Sequence, residues 1–167
     1  MLVADTHSAP HPNSAEHVAA QHPIHILHAG DIGDLGVLEQ LEKLANLIAV
    51  RGNIDIHAPG LPDAITIDVR DADGPLVTLL LVHIAVYGPK LRAEIAKLAH
   101  ADGASIVVCG HSHVPFIGRD KGVVIVNPGS IGPQRFHLPI VFAVMDISRE
   151  RISMHHVNCE TGRRWEP

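Results

Sequence analysis

The sequence predicts an α/β layered sandwich built on mixed β-sheet. Its first half alternates short apolar runs with helical patterns, and its second half is mostly strand. Five of the apolar runs also end in a histidine, aspartate or asparagine, so one edge of the sheet collects the polar chemistry. Met1–Ala4 reads as a brief first strand. Asn13-Ser14-Ala15-Glu16 has capping-box spacing and opens a short helix that Pro23 closes. Ile24–Ala29 and Leu47–Val50 read as buried strands, and between them Leu38, Leu41 and Ala45 stripe one helix face. Ala64–Val69 alternates, Asp73-Gly74-Pro75 turns the chain, and Leu76–Ile84 is a long apolar strand. Pro89 is expected to start a helix with Leu91, Ile95, Leu98 and Ala99 on one face, ended by Gly103. Ile106–Cys109, Val123–Val126, Ile140–Ile147 and Ile152–Val157 complete the strands, with Ser148-Arg149-Glu150 as a hairpin turn.

Length and composition narrow the function classes. At 167 residues the chain is expected to form one domain, residues 1–167, and no repeat or low-complexity linker divides it. A domain of this size buries roughly 70% of its unfolded surface and folds without a disulfide or metal staple. With 46% hydrophobic and 19% charged residues it is not disordered. The longest nearly apolar stretch, Leu76 to Tyr87, falls short of the roughly 20 residues a bilayer requires, so no membrane partner is expected. Asp5 interrupts the N-terminus before any apolar export signal, and Cys109 and Cys159 lack metal or redox spacing; a cytoplasmic protein is the expectation. A net charge of −5 with 3% aromatic residues argues against a long nucleic-acid partner.

Histidine occurs 14 times, so its motifs must be weighed against chance. Eleven Asp and 14 His among 167 residues give roughly one Asp-x-His by chance, and there are two. Asp55-Ile56-His57 lies several residues beyond its strand and is the decoy. Gly110-His111-x-His113 is rarer, roughly a tenth of an occurrence by the same arithmetic. What stands out is the placement. Met1–Ala4 runs into Asp5 and His7, Ile24–Ala29 into Asp31, Leu47–Val50 into Asn53, Leu76–Val82 into His83, and Ile106–Cys109 into His111 and His113. Ligands of open α/β sheets bind at that edge. A histidine-rich metal buffer would explain the composition but not this confinement to strand ends. Four His, two Asp and one Asn are too many ligands for one ion and suit two, with one carboxylate shared. Such imidazole-rich, oxygen-completed sites favour Mn, Fe, Co, Ni or Zn over Mg or Ca.

In their order, Asp5-x-His7, Gly30-Asp31, Gly52-Asn53, His83 and Gly110-His111-x-His113 resemble the calcineurin-like metallophosphoesterase superfamily. His28-Ala29-Gly30-Asp31, Gly110-His111-Ser112-His113-Val114-Pro115 and Asn127-Pro128-Gly129-Ser130 are similar to its small single-domain bacterial and archaeal phosphodiesterase branch. The resemblance implies a four-layer αββα sandwich with two mixed β-sheets. It also implies two divalent transition-metal ions, manganese first among them. Asp5, His7, Asp31 and His113 would hold one ion; Asp31, Asn53, His83 and His111 would hold the other. Asp31 would bridge, and a metal-bridging hydroxide would attack a small phosphodiester, with Asp31 and Asn53 acting through it. It further implies homo-oligomers, and a loop beside the site from which Ser130 and Arg135 reach substrate. Cys109 is expected to pack in its strand, and Asp55 to orient a ligand.

Some positions depart from the family pattern. Ile54 stands where larger members have His and the small branch often has Cys, so no proton donor follows Asn53. Ser8 and Ile84 stand where glycines are usual. The loss at position 54 gives weight to an alternative, a non-catalytic metal-binding scaffold or interaction protein of the same fold.

Overall fold

Period-two alternation in the strands sorts the side chains of this chain into three apolar layers. The computed structural model describes residues 1–166. In chain order the elements are β1 (Leu2–Val3), α1 (Ser14–Ala19), β2 (His25–His28), α2 (Gly36–Glu42), β3 (Asn46–Ala49), β4 (Ala64–Asp71), β5 (Gly74–Val82) and β6 (Val86–Tyr87). They continue as β7 (Lys90–Leu91), α3 (Ala93–Ala101), β8 (Ile106–Val108), β9 (Phe116–Asp120), β10 (Val123–Asn127), β11 (Val141–Ile147), β12 (Ile152–Asn158) and β13 (Arg164–Trp165).

One sheet runs β13-β12-β11-β1-β2-β3 and the other β4-β5-β8-β10-β9. Both are mixed. β1, β2 and β3 are mutually parallel, with β11 antiparallel to β1. β5, β8 and β10 are parallel, with β4 and β9 antiparallel at the edges. Val3, Ile26 and Phe142 pack under α1 and α2 against Val18, Val37 and Leu41. Their strand neighbours Leu2, Leu27 and Ala143 face the other way, onto Leu79, Leu81, Ile106 and Val108 of the second sheet. Leu80, Val107 and Ile125 then meet Ile95, Ala96 and Ala99 of α3. The order is helix, sheet, sheet, helix, the expected four-layer α/β sandwich. Cys109 is buried in the layer beneath α3, as expected.

Some local expectations fail for identifiable reasons. Pro89 does not start a helix: Gly88-Pro89 is the two-residue loop of a hairpin pairing β6 with β7, with Gly88 at φ +57. Leu91 is buried through that hairpin, and the helix begins only at Ala93, after extended Arg92. The capping box is absent as well. Asn13 has helical backbone angles and makes no side-chain cap; its amide donates instead to the Glu160 carbonyl at 3.5 Å. The turn before β5 is Ala72-Asp73, and Gly74 already belongs to the strand. β9 and β13 were not expected; β9 carries Gly118, Arg119 and Asp120 and reads as loop until β10 pairs with it.

Candidate metal centre

The parallel strands place the five ligand-bearing loops on a common edge. Loops after β1, β2 and β3 come from one sheet, and those after β5 and β8 from the other. Backbone sterics make this convergence expensive. Asp5, His7, Asp31, His111 and His113 have φ of 55, 45, 55, 71 and 60°, a left-handed region that non-glycine residues rarely enter. Ser8, at φ 66°, shares it, and its hydroxyl accepts the Asp34 N–H at 2.8 Å. Crowding explains two glycines. A Cβ on Gly30 would lie 2.7 Å from Gly52 N and 2.8 Å from His83 Nδ1, and a Cβ on Gly52 would overlap Asp31 N and Oδ1.

Two donor groups result: Asp5, His7 and His113, and Asp31, His83 and His111. Asp31 faces both. Its Oδ1 lies 3.1 Å from His83 Nε2 and its Oδ2 3.7 Å from His7 Nε2. Asn53 Oδ1 lies 3.1 Å from His83 Nε2 and 2.9 Å from His111 Nδ1. Asp5 Oδ1 lies 3.5 Å from His113 Nε2, and both Asp5 oxygens accept the His111 backbone N–H. Asp5, Asp31, His83 and His113 are buried, whereas Asn53 and His111 are exposed and leave the centre open on one side. All seven sequence-selected residues are therefore together, while His57 is exposed and belongs to neither group.

The donor chemistry fits divalent cations. His83 Nδ1 donates to the Ala29 carbonyl at 2.7 Å, which fixes the tautomer and turns the Nε2 lone pair toward oxygens of Asp31 and Asn53. His7 Nε2 and His113 Nε2 face one another at 3.2 Å. An ion between them would draw a lone pair from each ring. His113 Nδ1 is buried with no hydrogen-bond partner among the described residues. Titration follows the same logic. Burial pushes the Asp5 carboxyl up to about 7, and a neighbouring cation would favour its charged form. Burial also acts to raise Asp31, but the hydrogen bond and charge of a protonated His83 hold it at about 2; burial acts to lower His83 while its contacts with Asp31 raise it overall, so an ion would take the place of that proton. His7 and His111 are lowered by burial, and His113 falls to about 4 through burial and the Arg135 charge. Neutral imidazoles beside an ionised carboxylate are the ligand forms.

The supporting residues were harder to foresee. His28 is fully buried. Its Nδ1 accepts the Gly30 N–H, its Nε2–H donates to Thr6 Oγ1, and Thr6 donates to the Ile32 carbonyl, tying the first two ligand loops together. The Asp55 carboxylate accepts the N–H groups of Ile32, Gly33 and Gly52 at 2.7–3.1 Å. It thus orients ligand loops through their backbone and touches no ligand side chain. Ser130 Oγ donates to the Asp5 carbonyl at 2.8 Å and so supports the first loop from behind. Asn127 Nδ2 donates to Gly110 O and Ser112 Oγ, holding the last one. Arg135 is exposed, with Nη2 3.2 Å from His7 Nε2. An Asn at the end of β10 was the available signal for the last support; a core histidine carries none.

A family model for the calcineurin-like phosphoesterase superfamily domain matches residues 1–150. The chain belongs to that superfamily. It is 32% identical over 128 residues to a probable metallophosphoesterase of Methanothermobacter thermautotrophicus, covering 76% of this chain and 71% of the relative. A probable metallophosphoesterase of Methanocaldococcus jannaschii is 31% identical over 106 residues, or 63% of this chain; the match spans about half, 52%, of that relative's length. Among solved structures, vacuolar protein sorting 29 from Cryptosporidium parvum superposes with a TM-score of 0.76 at 16% identity, covering 98% of this chain and 92% of that one, a likeness of fold. Among the described residues of this superfamily member, no helix is long and apolar enough to cross a membrane.

Proposed function

We propose that this chain is a two-metal phosphodiesterase acting on a small phosphodiester, its residues 1–167 forming one cytoplasmic domain. The observation that carries the reading is Asp31, whose two carboxylate oxygens face the two donor groups. Asp5, His7 and His113 hold one ion, Asn53, His83 and His111 the other, and Asp31 is common to both. Two divalent transition ions, manganese favoured, supply Lewis acidity toward the phosphoryl oxygens and lower the pKa of water toward neutrality. The protein's part is to hold His7, His111 and His113 neutral, fix the His83 tautomer and keep the edge rigid.

The leaving-group range follows from Ile54. Its backbone N–H donates to Asp31 Oδ1 at 3.2 Å, so residue 54 stands beside the shared carboxylate, yet its side chain offers no proton. The leaving oxygen must then depart as an anion, and aryl diesters are hydrolysed far faster than alkyl ones. The test is a series of methyl phosphodiesters with leaving groups from phenols to alcohols, assayed with Mn²⁺ in wild type and Ile54→His. A steep dependence on leaving-group pKa is expected, with Ile54→His raising alkyl-ester turnover by up to about 100-fold. A flat dependence in the wild type would contradict it.

The same residue supports a second reading, a metal-binding scaffold without turnover, to which the likeness to a vacuolar sorting protein is suited. Against it stands the retention of all seven donors.

A further inference from the structure

The ligand loop after β8 is strained. His111 and His113 both have left-handed backbone, at φ 71 and 60°, so contacts must keep the loop in that shape. Asn127, buried at the end of β10, supplies two of them. Its Nδ2 donates to the Gly110 carbonyl at 2.8 Å and to Ser112 Oγ at 3.1 Å. Ser112 Oγ also accepts the Val114 N–H at 3.3 Å, so the clamped hydroxyl straddles His113.

Asn127 is itself held from the other sheet. Trp165, His156, Ala143 and Leu2 are successive cross-strand partners on β13, β12, β11 and β1. Leu2 and Ala143 face the second sheet, so His156 does as well. It is a buried imidazole in an otherwise apolar row, a costly placement unless the ring is hydrogen-bonded. Its Nε2–H donates to the Asn127 carbonyl at 2.8 Å, and Trp165 packs edge-on against it with ring centroids 5.8 Å apart. An apolar side chain would fill the row at lower cost, so the bond to Asn127 is what the imidazole adds. Both His156 and Trp165 lie beyond residues 1–150, the stretch the superfamily model matches.

We propose that His156 is a positioning residue of the metal centre. By holding Asn127 from the opposite sheet it keeps the clamp on the 110–113 loop aligned, and so aims His111 and His113, one donor of each group. The C-terminal hairpin of β12 and β13 thereby becomes part of the site's support. The inference rests on the two-metal reading, in which those two histidines are ligands.

The test titrates Mn²⁺ into the metal-free full chain by calorimetry, well below its melting temperature, so that lost stability alone does not move the result. His156→Gln carries an amide donor about as far out as Nε2, whereas in His156→Asn the donor stops short of the Asn127 carbonyl. His156→Asn should weaken Mn²⁺ binding about 10-fold, and His156→Gln should stay within about threefold of wild type. In an Asn127→Ala background, His156→Asn should cost nothing further. If His156→Asn does not fold, His156→Phe, which fills the space without a donor, takes its place. Unchanged affinity in His156→Asn, equal losses in the Asn and Gln variants, or a full additional loss in the Asn127→Ala background would each overturn the proposal. Wild type that binds two ions and cleaves no diester ends the phosphodiesterase reading alone, and the Mn²⁺ affinities still decide His156. Wild type that binds no ion ends both.

Discussion

Asp31 is a carboxylate shared between two donor groups, and an amide cannot take its place. Asp31→Asn should reduce bound metal from two ions per chain to one or fewer. Changes to groups that merely support a ligand typically lower activity about 10–100-fold, and loss of a shared ligand should exceed that. Two ions and unchanged turnover would remove Asp31 from the centre. His57→Ala provides the contrast: metal content should stay at two, and loss of an ion would shift the site to Asp55-x-His57. His28 makes a different prediction, about stability. Burial lowers its pKa to about 4, below the 6.5 of an exposed imidazole, so the folded protein holds it neutral. A depressed pKa stabilises the fold above about pH 6.5, and that stabilisation is lost as pH falls toward 4. Over that window metal-free wild type should lose about 3 kcal/mol relative to His28→Gln in chemical denaturation, Asp5 and His113 titrating alike in both. Parallel curves would show that His28 does not stay neutral.

At the scale of elements, the loop after β3 approaches Asp31 so closely that position 52 has no room for a side chain. Gly52→Ala should fold, with a lower melting temperature, and bind the ion of the Asp31, His83 and His111 group much more weakly. A variant with two tightly bound ions would show that the loop can yield. This packing also explains what was readable in advance. A buried strand must be apolar and its polar terminus must be functional or solvated, so Asp5, Asp31, Asn53, His83 and His111 announced themselves at the ends of their runs. Pro89 misled because the same residue suits a helix start and a hairpin loop, and only the pairing of Tyr87 with Lys90 separates the two. Asn13 had the right spacing for a cap, but the Glu160 carbonyl lies far away in sequence. β9 and β13 are short or charged edge strands whose identity comes from their partners. His28 and Asn127 escaped, and Ser130 was expected at the substrate whereas it is buried and donates to the Asp5 carbonyl, for a related reason: their roles are hydrogen bonds to backbone atoms of distant loops, which no local pattern encodes.

The whole molecule places the candidate centre across the seam between its two sheets. Three ligand loops leave the first sheet and two leave the second, so bound ions would cross-link the sandwich. Metal should therefore stabilise the fold as well as serve chemistry. An ion at 100 times its Kd adds about 2.7 kcal/mol per site, and a chelator should lower the melting temperature reversibly. The most direct measurement titrates Mn²⁺ into metal-free protein, counting bound ions per chain while following hydrolysis of an aryl methyl phosphodiester. Two ions per chain, with hydrolysis rising as the second binds, is the expected result. Saturation at one ion or none, or two ions with no turnover of any activated diester, would contradict a two-metal phosphodiesterase.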